Sequence, residues 1–243
     1  VNGDEVAFGS DDPAAGWTYD EAAGLLRLTN AGPFTISGAN TEGKVRVVVN
    51  ANLAPAVTLS NLTLRTSSDN RCIFTLGAGA NVSLTLAGAN ELASGSGRPG
   101  IWVQAGETLS ITNAPGDDAA SLAVKGGANG AGIGSGTQGA AGTVNIAGGT
   151  ITATSGTCAA DARAGVGADG TVSISGGTVT ATGDSGGAGI GGGSGRAGGT
   201  VTISGGTVTA AGSYSAADIG PGDGSEDSGA NTFTGGSILL VND

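Results

Sequence analysis

The chain has 243 residues, fifty of them glycine, no histidine, and a formal charge of −11 from nine basic and twenty acidic side chains. The missing histidine excludes Ser-His-Asp and Cys-His catalysis and any His-ligated zinc site. The acidic balance and the lack of a Lys/Arg run exclude nucleic acid as a partner. No apolar run approaches the roughly eighteen residues of a membrane-spanning helix.

The sequence starts at Val1 with neither Met nor signal peptide, which fits a processed piece of a larger secreted protein. In chain order, "GWTYDEAAGLLRLTNAGPFTISG" predicts a hairpin cap within residues 1–30. "VRVVVNANLAPAVTLSNLTL", "CIFTLGAGANVSLTLAGANELAS" and "GIWVQAGETLSITNAPGDDAASLAVKG" then predict irregular coils over 31–125. From 126 to 243 the chain repeats itself. "AGTVNIAGGTITATS", "DGTVSISGGTVTATG" and "GGTVTISGGTVTAAG" set Val144, Val172 and Val201 in step, preceded by "GAGIGSG", "RAGVGADG" and "GAGIGGG". A worn fourth copy reads "AADIGPG", and "SILLVND" supplies a last strand.

Self-similarity at 20–50 residues marks a solenoid or propeller. Three short β segments per unit favour an all-β, right-handed parallel β-helix forming a single domain over 1–243. Alternation in "TVTIS" sends Val201 and Ile203 inward and the threonines outward. Coils about 4.8 Å apart then align Ile133, Val166, Ile190 and Ile219 in one interior file, which Ile73 and Ile101 extend. Ile151, Val179 and Val208 form another. No stretch has helical three-and-four spacing.

The pattern "GAGIGGGSG…GGTVTISGGTVTATG", after "GWTYD…LTLSNLTL…NVSLTLAGANEL", resembles the right-handed β-helix domains of secreted and surface-anchored bacterial proteins. Some members of that broad group are calcium-associated polysaccharide-binding domains and others are parts of adhesins. The resemblance implies an extracellular or cell-surface location and brings no family-wide catalytic residues.

Gly187, Gly189 and Gly192 match the dinucleotide-binding GxGxxG, but a strand follows where that site needs a helix. In the stacking register the residues after the inward file read Phe74, Trp102, Gly134, Gly167, Gly191 and Gly220. Two readings stand for this column: tight turns with positive φ, or a bare outer strip where a sugar ring lies against Trp102. Gln104 and Tyr214 join Trp102 as candidate ligand contacts. The coil at 155–169 gains residues before its short strand and loses most of the loop after it. This predicts a notch roughly 10 Å wide, with Gln138 and Arg196 on its walls, Asp169 at its floor, Asp161 and Arg163 on the added loop, and Asp218 nearby.

Inverting glycosidases place two carboxyls about 6.5–9.5 Å apart, so Asp161 with Asp169 or Asp218 is the candidate catalytic set if the chain is an enzyme. Asp223, Glu226 and Asp227 are candidate calcium ligands, and no other cofactor is expected. Cys72 and Cys158 fall about three coils, roughly 14 Å, apart, past the ~7 Å Cα limit for a disulfide, so both are expected as free thiols. Thr150/Thr152, Thr178/Thr180 and Thr207/Thr209 form a TxT ladder like that of ice-binding solenoids, which strand propensity also explains. The expectation is a non-catalytic carbohydrate-binding or adhesin module whose partner is a polysaccharide or host glycan, without nucleic acid or membrane insertion. Side-by-side association remains open. The alternative is a carbohydrate-active enzyme, followed by a structural spacer or an ice-binding face.

Overall fold

The computed structural model describes residues 16–68, 70–136, 139–157, 163–167 and 169–241, and among these there is no helix. They form a three-sided parallel β-solenoid. Face 1 stacks Leu25–Leu28, Arg46–Val49, Phe74–Thr75, Ile101–Trp102, Ile133–Gly134, Val166–Gly167, Ile190–Gly191 and Ile219–Gly220. Face 2 stacks Asn81–Ala87, Thr108–Asn113, Thr143–Ile146, Thr171–Ile174, Thr200–Ile203 and Ala230–Phe233. Face 3 stacks Ala89–Ala93, Ser121–Ala128, Thr150–Gly156, Thr178–Thr182, Thr207–Ala211 and Ser237–Leu240. In the first coils faces 2 and 3 are one strand: Ala56–Arg65 pairs with Asn81–Ala87 through its first half and with Ala89–Ala93 through its second. Asn61, at φ 49°, makes the bend.

At the top, Trp17–Asp20 pairs antiparallel with Leu25–Leu28. That second strand also pairs in parallel with Arg46–Val49, so it is already the first level of the stack.

The register follows from side-chain alternation, because a slip of one residue would turn every apolar group outward. Val144, Val172 and Val201 stack on one another, as do Ile146, Ile174 and Ile203, and all six are buried. Ile151, Val179 and Val208 do the same on face 3. On face 1 the file Ile101, Ile133, Val166, Ile190 and Ile219 forms as the repeat predicts. Its upward continuation does not. Phe74, not Ile73, pairs with Ile101, and Thr75 stands above Trp102. Both Ile73 and Phe74 are fully buried at a corner, and the two-residue strand has no alternation to separate them.

One interior file tapers along the rod: Leu64, Leu92, Val124, Ala153, Ala181 and Ala210. As it shrinks, the opposite corner closes onto it with Gly132, Gly165 and Gly189, where a methyl group would press on the backbone of 153–154, 181–182 or 211. Small side chains thus still give close packing, which the interior requires. The last coil leaves Phe233, Leu239, Leu240 and Val241 exposed.

Cys72 is a free, buried thiol, its sulfur 3.2 Å from the carbonyl oxygens of Phe74 and Pro99. Cys158 lies outside the described residues. The threonine ladder is in register over three coils and ends at Ser121/Ala123 and Ser237/Leu239.

Candidate functional site

The candidate contacts gather around face 1, whose strands are short and whose flanking corners vary most in length. Its outward file reads Arg27, Val48, Thr75, Trp102, Gly134, Gly167, Gly191 and Gly220 from top to bottom. The four glycines are buried, which overturns the reading of a bare outer strip. At the lower two the flanking corners bond to each other: the Ala188 N–H donates to Gly192 O at 2.9 Å, and the Ala217 N–H to Pro221 O at 3.0 Å. Gly134 and Gly191 sit at φ 140° and 130°, where a side chain is strained, and a methyl on either would overlap the carbonyl of the glycine one coil below. The turn reading of this column holds.

Above the glycines the file is open. Arg27 is exposed and Val48, Thr75 and Trp102 are half-buried. The Arg98 guanidinium lies over one face of the Trp102 ring, 4.4 Å from its centroid, a cation–π contact. Gln104 is exposed at the next corner. Its N–H donates to Glu107 Oε2 at 2.7 Å, while Glu107 Oε1 is buried without a partner among the described residues. Burial pushes the Glu107 carboxyl up to about 7, against the opposing bond from Gln104. Nothing in the sequence around Glu107 distinguishes it from an ordinary turn acid.

The notch is only partly as expected. The corner after Val166–Gly167 is short, and Arg196 reaches from the next coil to place Nη1 3.1 Å from Asp169 Oδ2. Asp169 occupies a φ of 63° with its Oδ1 buried and unpartnered among the described residues. Burial raises its carboxyl, opposed by the charges of Arg196 and Arg163 and by the Arg196 hydrogen bond. Arg163, expected on an outer loop, is buried instead, with its backbone carbonyl against Gly187 of the next coil. Gln138 and Asp161 lie outside the described residues.

Asp218 is not an open acid. It stands where earlier coils have glycine, and its two oxygens accept the Gly212 and Val241 N–H groups, both at 2.6 Å. It is a buried fastener between corner and last strand. Tyr214 is exposed at that same corner, away from the open part of face 1. Asp223, Glu226 and Asp227 do not converge: no group of three or more acids, cysteines or histidines capable of holding a metal occurs among the described residues. Asp227 Oδ1 instead accepts the Gly229 N–H at 3.0 Å, and the Asp223 N–H is spent on Gly186 O at 2.8 Å.

Fold and repeat together define a parallel β-helix domain. In agreement, the family described as a beta helix repeat matches residues 144–170, 172–194 and 201–224. No curated protein and no solved structure matches the chain.

Proposed function

We propose that the protein is a non-catalytic carbohydrate-binding module, acting outside the cell in attachment to a polysaccharide or host glycan. The observation that carries this reading is the half-exposed Trp102 ring in the open upper part of face 1, fixed by Arg98 and flanked by the exposed Gln104. The part of the fixed ring that Arg98 leaves uncovered offers an aromatic surface to the apolar side of a sugar ring at little entropic cost. The enzymatic alternative through Asp161, Asp169 and Asp218 has less support. Asp218 has both oxygens bound by backbone amides and Asp169 is paired through Oδ2 with Arg196, so no two open carboxyls face each other among the described residues.

Screening the protein against immobilised neutral and acidic polysaccharides tests this reading. Trp102→Ala is expected to weaken binding about tenfold or more, equivalent to at least ~1.4 kcal/mol, without lowering the melting temperature. Undiminished binding by that variant overturns the assignment. Release of new reducing ends from any bound polysaccharide overturns its non-catalytic part.

A further inference from the structure

Four of the nine basic residues, separated by long stretches of sequence, come together on the upper part of face 1. Arg27 heads the outward file, and Arg46 pairs in register with Leu25, two residues before it. Arg71 lies one coil further down, beside the corner that leads into Phe74–Thr75, with its carbonyl accepting the Gly95 N–H at 3.1 Å. Arg98 follows, its Nε donating to Asn70 O at 3.3 Å and its guanidinium over one face of Trp102.

Among the described residues none of these four arginines forms an ion pair, and the nearby Asp20 accepts the Ala23 N–H at 3.0 Å. The ion pairs among the described residues are Lys44–Glu42, Arg65–Glu91 and Arg196–Asp169, so the acids Glu42 and Glu91 of these upper coils are already engaged elsewhere. Arg46 Nε is buried without a partner among the described residues. Burial, then the charges of Arg71 and Arg27, lower the Arg46 pKa, with a small opposing contribution from Cys72. Like charges held this close in a chain of net charge −11 are a local cost that an anion would remove.

We propose that Arg27, Arg46, Arg71 and Arg98 form with Trp102 a track for a polysaccharide bearing oxyanions. Its carboxylate or sulfate groups would be held by successive guanidinium forks and a sugar ring by the indole. The planar fork of arginine matches an oxyanion bidentately, and the coil rise of about 4.8 Å sets the arginines at intervals comparable to one sugar residue. This inference rests on the glycan reading above and names the class of glycan.

The test measures binding of the intact protein to dextran sulfate, a polyuronate, neutral dextran and inorganic polyphosphate at low and high salt. Dextran sulfate, the polyuronate or both are expected to bind about tenfold or more tighter than neutral dextran, with affinity falling as salt rises. The exposed Arg27→Gln change, alone and combined with Arg71→Gln, should lower that affinity stepwise while leaving the melting temperature in place. Sulfate against carboxylate preference identifies which oxyanion is read. Equal binding of neutral dextran, unaffected by these substitutions, overturns the arginine track and leaves the glycan reading intact. Binding of polyphosphate but of no polysaccharide overturns both.

Discussion

The upper and lower halves of the rod solve one packing problem with opposite means. Down to residue 109 the interior is filled by large side chains, with Leu28, Leu59, Leu62, Leu64, Phe74, Leu84, Leu86 and Leu92 all fully buried. Below, the tube holds Val, Ile and Ala with Leu122 alone among leucines of the buried core, and the walls move inward because glycine lets backbone touch backbone at Gly132, Gly165 and Gly189. The outer surface divides at the same place. Face 1 is open and basic above, with Arg27 and Trp102 on show, and covered by its own corners below. Side-chain packing leaves the outside free for chemistry, whereas backbone packing consumes it.

The sharpest way to break this contrast is to place a side chain in the lower half. Gly191→Val would drive its Cβ into the Gly220 carbonyl at an already disfavoured φ, and loss of cooperative folding, or a cost above about 4 kcal/mol, is expected from thermal melts. Gly195→Ala is the control. It has positive φ but open space around it, so about 1 kcal/mol is expected. Similar melting temperatures for the two variants would remove the backbone-contact explanation.

A truncation that leaves a cavity should divide the halves in the other sense. Phe74→Ala in the upper core is expected to cost about 3–5 kcal/mol by urea denaturation, against about 2 kcal/mol for Val179→Ala below. Equal costs would mean that the upper core is no more dependent on side-chain volume than the lower.

The smallest effect sharpens the boundary, where Glu107 lies. Its native carboxyl holds a proton up to about 7 while the unfolded one releases it near the ordinary 4.5, so between those values the folded state binds more protons. Stability should therefore fall as pH rises from about 4.5 to about 7, and Glu107→Gln should flatten that part of the profile. A variant curve parallel to the parent curve would show that Glu107 is not the group responsible.

The files of the lower half are legible in the sequence because valine–threonine alternation recurs at 28 and 29 residues, leaving one register that buries every aliphatic group. Alternation fails at Ile73–Phe74, where adjacent apolar residues enter a two-residue strand, and there the register slips by one. Glycine at 134, 167, 191 and 220 reports that no Cβ fits, but not from which side the obstruction comes. Hence a covered column reads as a bare one. Loop lengths place Asp169 and Arg196 beside the same short corner, but not the ion pair between them. Asp218 does not reveal its fastening role, because the amides it binds belong to residues 212 and 241. Glu107 and the four arginines owe their character to neighbours on other coils, so no local pattern announces them.

The unbroken step from Val144 to Val172 to Val201 makes each lower turn an interchangeable part, meeting the one above and the one below through nearly the same surface. Removing or duplicating one such unit changes how far the rod reaches by about 4.8 Å and leaves the arginine-bearing end as it was. The length of the rod and the make-up of its arginine-bearing end can therefore be adjusted separately in this molecule.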